Sequence, residues 1–206
     1  MARHLRPRRA AGADLTPNCH VIRSRGLVDF EIKIENFRAL RRARWAPSGV
    51  CLLAGANGSG KTTMLDALQF LRLLFERGHA AAFAHVDGDY FRTTTVEESE
   101  PVVFELRVEQ VTWRLRFPMG TSGLIDNFGE DIEGPDASHR HGMFEQWWTL
   151  GSEKVAIGDE VRCYAKVLWD RGNDAWMKPL VDFLAGSSTF AAYHLNRVQR
   201  VEPAAR

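Results

Sequence analysis

The sequence predicts a mixed α/β domain, on three observations. Apolar and polar residues alternate from Val28 to Glu35. A short apolar run, Val50–Ala54, leads through a glycine-rich loop into an amphipathic segment. A second pair of alternating segments follows between Val102 and Phe117. Period-two alternation puts every second side chain on one face and marks a half-buried strand, whereas a wholly apolar run suits a strand covered on both faces. The 206 residues, 45% hydrophobic and 26% charged, suffice to bury a core without disulfide or metal staples. No apolar run approaches the roughly 18 residues of a membrane helix, and the amino terminus lacks an apolar signal core. Cys19, Cys51 and Cys163 are an odd, scattered set. Reduced thiols, a cytoplasmic location and no membrane partner are therefore expected.

Taken in order, residues 1–26 form a basic tail. Arg3, Arg6, Arg8, Arg9, Arg23 and Arg25 face only Asp14, a local +5 that leaves the remainder near −4. Pro7, Gly12 and Pro17, with no apolar periodicity, predict a disordered extension. It is either simply solvated or able to touch a polyanion. The folded domain is expected over residues 27–206. Its first strand covers Val28–Glu35 and a weaker second one Leu40–Trp45. Pro47-Ser48-Gly49 is a turn signal, and Val50–Ala54 reads as a strand buried on both faces. A helix is expected over 61–77, because Asp66, Gln69, Arg72 and Glu76 form one thin polar stripe on an otherwise apolar surface. Gly78 ends it. Residues 79–100 read as irregular. A β arm spans about 101–170. It begins with a hairpin, Val102–Val108 and Val111–Phe117, turned at Glu109-Gln110. A loop over 118–142 follows, then strands at Phe144–Leu150 and Val161–Trp169. Arg171–Asp174 is a turn, Leu180–Leu184 begins a short helix, and Phe190–Leu195 suits either strand or helix.

Gly55-Ala56-Asn57-Gly58-Ser59-Gly60-Lys61-Thr62 fits G-x-x-x-x-G-K-[ST] at every fixed position, between an apolar run and a helix. Glycines let the backbone curl around phosphates with its N–H groups pointing inward, and the helix N-terminus adds partial positive charge beneath them. Lys61 reaches the β- and γ-phosphates, Thr62 offers its hydroxyl to Mg²⁺, and Thr63 sits beside the α-phosphate. ATP and Mg²⁺ are the expected ligands.

Ile32-Lys33-Ile34-Glu35-Asn36-Phe37-Arg38, followed by a strand and then by Gly55 to Leu68, resembles the N-terminus of ABC-type ATPases of the SMC/RecF/OLD kind, the "AAA family" proteins of DNA repair, chromosome maintenance and phage defence. The resemblance spans roughly residues 28–77; beyond it, only the antiparallel arm suits the family. It implies a P-loop NTPase fold, an ABC-ATPase-like N-terminal lobe that is incomplete as it stands. Its partner would be a second ATPase lobe or a homodimer, with DNA as a candidate ligand. Arg38 matches a basic residue that the family often places near the nucleotide; a solvated surface arginine is the alternative.

The resemblance also asks for a Walker B strand ending in Asp-Glu, an LSGGQ-like signature and a switch histidine. No signature is found. Val155-Ala156-Ile157-Gly158-Asp159-Glu160 is interrupted by Gly158, and Val167-Leu168-Trp169-Asp170 lacks the glutamate. No catalytic base is assigned, and the chain reads as an N-terminal piece. Two other function classes also fit: a P-loop kinase acting on a small molecule, and a nucleotide-gated interaction module without turnover. His139-Arg140-His141 reads as an exposed loop rather than a metal site. Trp147-Trp148 reads as packing rather than a base-stacking platform, and Cys51 as a buried small hydrophobe.

Overall fold

The computed structural model describes residues 14–15, 29–47, 49, 51, 53–86, 91–93, 100–118, 128–135, 138–141, 147–150, 153–156, 163–172 and 175–187. Its centre is a sheet in which β2 (Phe30–Phe37), β3 (Leu40–Trp45), β4 (Val102–Val108), β5 (Val111–Phe117), β6 (Gly129–Glu133) and β7 (Ser138–His141) pair antiparallel, in spatial order β3-β2-β4-β5-β6-β7. A two-residue strand, β1 (Asp14–Leu15), runs parallel along β3. It falls within the tail for which the sequence predicts no structure.

Alternation dictates the pleat. Ile32, Ile34, Phe104, Leu106, Trp113 and Leu115 all point to one face, each at most 1% exposed. Opposite residues meet across the ladder: Ile34 with Phe104, Phe104 with Leu115, and Leu106 with Trp113. The other face is a lattice of alternating charge. Lys33 Nζ donates to Glu105 at 2.6 Å, and Arg44 to Glu31 at 2.9 Å. Arg116 lies 2.9 Å from Asp131. The hydrogen bond from Arg44 holds the Glu31 carboxyl below the ordinary range.

Helix α1 (Lys61–Arg77) packs on the apolar face as its thin polar stripe requires, burying Met64, Ala67, Leu68, Phe70, Leu71, Leu74 and Phe75. Phe70 stacks on Phe104 with ring centroids 5.3 Å apart. Gly78, at a φ of 83°, closes the helix by donating its N–H to Leu74 O. A second helix, α2 (His79–Val86), follows directly where the sequence reads as irregular. Four alanines supply helix propensity and Phe83 packs its ring on Phe70.

Three further expectations are corrected. The segment 118–142 is not all loop, since β6 and β7 extend the sheet there. Tyr164–Asp170 is helix α3 rather than part of a strand. Tyr164, Ala165 and Leu168 are buried at helical spacing, and Glu130 takes the free N–H groups of its first turn. Thirdly, of the strand expected over Val50–Ala54, Cys51, Leu53 and Ala54 join no strand, Leu53 half-buried and Ala54 exposed, while Val50 and Leu52 lie outside the described residues.

The remaining pieces agree with the pattern more closely. The hairpin turns at Glu109-Gln110, with Val108 opposite Val111. β8 (Trp147–Leu150) and β9 (Glu153–Ala156) form a separate two-stranded sheet. A 3-10 turn over Ala175–Met177 leads into α4 (Lys178–Gly186), which covers the predicted short helix. Phe190–Leu195 lies outside the described residues.

Candidate functional site

The glycine-rich loop is exposed from Ala54 to Gly58 and ends at Gly60, the N-cap of α1. Gly60 has a φ of 87°, in the left-handed region where a side chain is costly. Gly55 is needed for a different reason: a Cβ there would stand 2.9 Å from Ser59 Oγ. Within the loop, Ser59 N–H donates to Ala56 O at 3.2 Å.

Lys61 curls back over this turn. Its Nζ donates to Gly55 O at 2.8 Å, to Ala56 O at 2.7 Å and to Ser59 Oγ at 3.3 Å. An ammonium has three donors, and all three are directed at the loop. The positive charge is thus held at the mouth of the curl. The start of α1 reinforces it: no side chain caps the helix and its first turn carries no acidic residue. Met64 N–H makes the first helical bond, to Gly60 O at 3.0 Å. The N–H groups of a helix's first turn have no partner within the helix, the general property on which anion sites at helix starts depend. Asn57 and Gly58 are exposed at the loop's tip, Thr62 is exposed on the first helical turn, and Thr63 is half-buried beside it. The nine residues singled out by the sequence run contiguously through the loop and into the first turn of α1.

Among the described residues, no group of three or more His, Cys, Asp or Glu could hold a metal. A phosphate-bound Mg²⁺ does not ask for one, because it draws on one hydroxyl, the phosphates and water. The exposed Thr62 hydroxyl, one residue after Lys61, fits that demand.

Arg38 is not a free surface arginine. It sits in the β2–β3 turn at a φ of 50°, with its N–H donating to Phe91 O, and its guanidinium pairs with Asp66 on α1. Asp66 falls four residues after Thr62, hence on the same helical face. The sequence reading missed this pair, and that spacing is the only sign of it. A second omission is Glu130, fully buried in a stretch read as loop. It accepts from Trp113 Nε1 at 2.7 Å, Tyr164 N at 2.6 Å and Ala165 N at 2.8 Å. Burial raises its pKa to about 7 against the pull of those three donors.

The weaker candidates separate from the loop. Val167–Asp170 lies in α3, where Asp170 pairs with Lys166, so it is no Walker B strand. Of Val155–Glu160, Val155 and Ala156 belong to β9, and residues 157–160 lie outside the described set. His139-Arg140-His141 lies on β7 rather than in a loop. Cys51 is corrected as well, since it is half-buried and disulfide-bonded rather than reduced. A cavity of about 270 Å³ near Phe30, lined by Asp29, Glu31, Pro47, Arg107 and Glu109 among others, includes no loop residue.

Residues 50–138 match a protein-family model described as "AAA domain, putative AbiEii toxin, Type IV TA system". The match begins just ahead of the loop and supports an AAA, P-loop ATPase-like domain there. No curated protein and no solved structure matches the chain. Among the described residues, no helix is long and apolar enough to cross a membrane.

Proposed function

We propose that this chain binds ATP with Mg²⁺ through Gly55–Thr62 and Thr63, as the N-terminal lobe of an SMC/RecF/OLD-like, ABC-type ATPase. The observation that carries the reading is Lys61 anchored over its own loop at the uncapped start of α1. In this reading the β- and γ-phosphates enter the curl and share the Lys61 ammonium with the loop carbonyls. The N–H groups of Lys61, Thr62 and Thr63 take the remaining phosphate oxygens. The Thr62 hydroxyl holds Mg²⁺, which when bound neutralises charge developing on the transferred phosphoryl group.

Hydrolysis also needs a group that orients water. A second lobe or a second copy of the chain would bring it, so turnover would follow association. Of the three processes that the resemblance offers, the toxin–antitoxin wording of the matched family puts phage defence ahead of DNA repair and chromosome maintenance. DNA remains the ligand that the two rivals would require.

Titration with ATP, ADP and AMP in the presence of Mg²⁺ tests the reading. Removing the β- and γ-phosphates removes the groups that Lys61 meets, so AMP should bind at least about tenfold more weakly than ATP. Equal affinities would place the nucleotide elsewhere. Phosphate transfer from ATP to a small acceptor, without such an association requirement, would favour the kinase reading.

A further inference from the structure

The face of the sheet turned away from α1 carries six cations over β2 to β5: Lys33, Arg42, Arg44, Arg107, Arg114 and Arg116. The ladder fixes their places. Arg44, Lys33, Glu105 and Arg114 stand opposite one another in one row, and Arg42 and Arg116 share the next. From β3 to β5 this field spans about 14 Å at the usual strand spacing. The carboxylates of its central rows lie low. The side chains of Glu31, Glu105 and Asp131 are 9%, 17% and 4% exposed, whereas those of Arg42, Arg44 and Arg107 reach 75%, 65% and 61%. Glu31 is shared by Lys33, Arg44 and Arg107, and Glu105 by Lys33 and Arg114. Solvent therefore meets guanidinium groups here, in a domain whose residues 27–206 are near −4.

One end of this face has the opposite sign. Where β2 begins, the cavity of about 270 Å³ has Phe30, Ala46 and Pro47 as apolar lining and Asp29, Glu31 and Glu109 as acidic lining. Arg107 belongs both to the cavity and to the cationic field. We infer that field and cavity together dock a protein partner, an acidic surface segment whose carboxylates meet Arg42, Arg44 and Arg114 and one of whose lysine or arginine side chains enters the cavity. The apolar stem of that side chain packs along Phe30 and Pro47, and its charged head meets Asp29 and Glu109. This docking site does not depend on the nucleotide-binding reading.

The two signs select the class of partner. Nucleic-acid and anionic lipid surfaces offer negative charge, and would bring it against the exposed Asp29 and Glu109 and the half-exposed Glu35. Among the described residues, no aromatic side chain stands in the cationic field for a base to stack on. A protein carries both signs and can match both halves. Arginine is the cation enriched at protein interfaces, and an anchor side chain seated in a pocket is how such interfaces gain most of their affinity. The exposed arginines act mainly on the rate of encounter, so association is fast and salt-sensitive.

The test uses the full chain and two fluorescent peptides as stand-ins for the partner. One has a run of glutamates, a glycine spacer and a terminal arginine; the other has glutamine in place of the arginine. At low salt the arginine peptide should bind at least about fivefold more tightly than the glutamine peptide, and both should weaken at physiological salt. Asp29→Asn with Glu109→Gln should erase the difference between the peptides. Arg42→Gln with Arg44→Gln should weaken both about tenfold. The basic tail is the same in every protein compared, so these differences read the face alone. If removing Arg44 from Glu31 lowers Tm, Arg42→Gln alone carries this arm with a loss of about threefold, because Arg42 lies 3.8 Å from Glu35 and both are substantially exposed. Equal affinity for the two peptides, no binding of either at low salt, or undiminished binding by both arginine variants overturns the docking site. A random-sequence DNA duplex is titrated alongside. A greater loss for the duplex than for the peptides on Arg42→Gln with Arg44→Gln gives the field to nucleic acid and overturns the protein partner. Light scattering that shows self-association of the native chain, abolished in the same variant, makes the occupant a second copy and overturns a separate partner.

Discussion

Arg38 Nη1 lies 2.5 Å from Asp66 Oδ2, joining the β2–β3 turn to the second turn of α1. The turn is fixed from the other side as well. Asn36, at a φ of 59°, donates its side-chain amide to Pro101 O at 3.0 Å and accepts from Thr93 N–H at 2.8 Å. The helix that carries Lys61 is thereby tied to the β2–β3 turn by an ion pair one turn below Thr62. The two side chains are 32% and 25% exposed, so solvent screens much of the attraction. Arg38→Ala should cost no more than about 1 kcal/mol, a fall of about 2–4 °C in Tm for a chain of this length. ATP affinity should change less than about twofold, within the weak end of such contacts. Calorimetric melting and ATP titration measure both. A large loss of ATP affinity at unchanged Tm would move Arg38 from the helix to the nucleotide.

Lys61→Ala tests the loop itself. The ammonium holds Gly55 O and Ala56 O and, in the proposed complex, the β- and γ-phosphates. One charge-assisted contact is worth about 1.5–3 kcal/mol, so ATP affinity should drop about ten- to a hundredfold. Titration calorimetry giving the same affinity for native protein and variant would remove the phosphate-binding role.

The legible parts of this molecule were those where one physical constraint acts at fixed spacing. β2, β4 and β5 follow from alternation, because one face of each is buried and the other charged. The loop follows from three glycines and Lys61, whose positions are dictated by the curl. β6 was hidden because Gly129-Glu130-Asp131-Ile132-Glu133 buries two carboxylates, each satisfied by partners remote in sequence. α3 was misread because apolar alternation and helical spacing coincide over seven residues, and only Glu130 at its first turn decides between them. Val50–Ala54 is the converse: its apolar character reads as a strand, and its described residues Cys51, Leu53 and Ala54 join none. The Arg38–Asp66 pair left too faint a mark, since a charge four residues after Thr62 is ordinary on any helix.

Glu130 should make stability depend on pH. Burial raises its carboxyl from 4.5 to about 7 in the fold. A raised value means that the folded state holds the proton more tightly than the unfolded chain. Stability from this group is therefore complete below pH 4.5 and lost as pH rises to about 7. The loss is on the order of 3 kcal/mol. Glu31, held low by its bond from Arg44, acts oppositely and weakens the fold only in more acid solution. Melting curves between pH 5 and pH 8 should show a falling Tm, and Glu130→Gln should flatten the fall whatever its absolute stability. A native Tm that rises across this interval would show that the three donors outweigh burial.

The β4–β5 turn is built from residues poorly suited to it. Glu109 has a φ of 53° without being glycine. For an L-residue this conformation costs roughly 1–2 kcal/mol, part of which glycine returns as lost chain entropy. Glu109→Gly should raise Tm by about 2–4 °C, because the exposed side chain gives up no burial. A lower Tm would mean that the Glu109 side chain, rather than the backbone of the turn, holds Val108 opposite Val111.

The chain alone should hydrolyse ATP very slowly. Lys61, Thr62 and the loop position phosphates, whereas hydrolysis also requires a group that orients the attacking water, and the proposal assigns that group to a second lobe. Adding a partner lobe, or raising the concentration enough to pair two copies, should therefore increase the rate per chain. Steady phosphate release above about 1 s⁻¹ at a concentration where the chain is monomeric would contradict this. The decisive variant would then be Glu160→Gln. Asp159 and Glu160 follow β9 in sequence and lie outside the described residues. If Glu160→Gln abolished release while ATP still bound, the base would belong to this chain and the dependence on a partner would be wrong. If release continued unchanged, the water would be oriented by another residue of the same chain, and the partner requirement would fail equally.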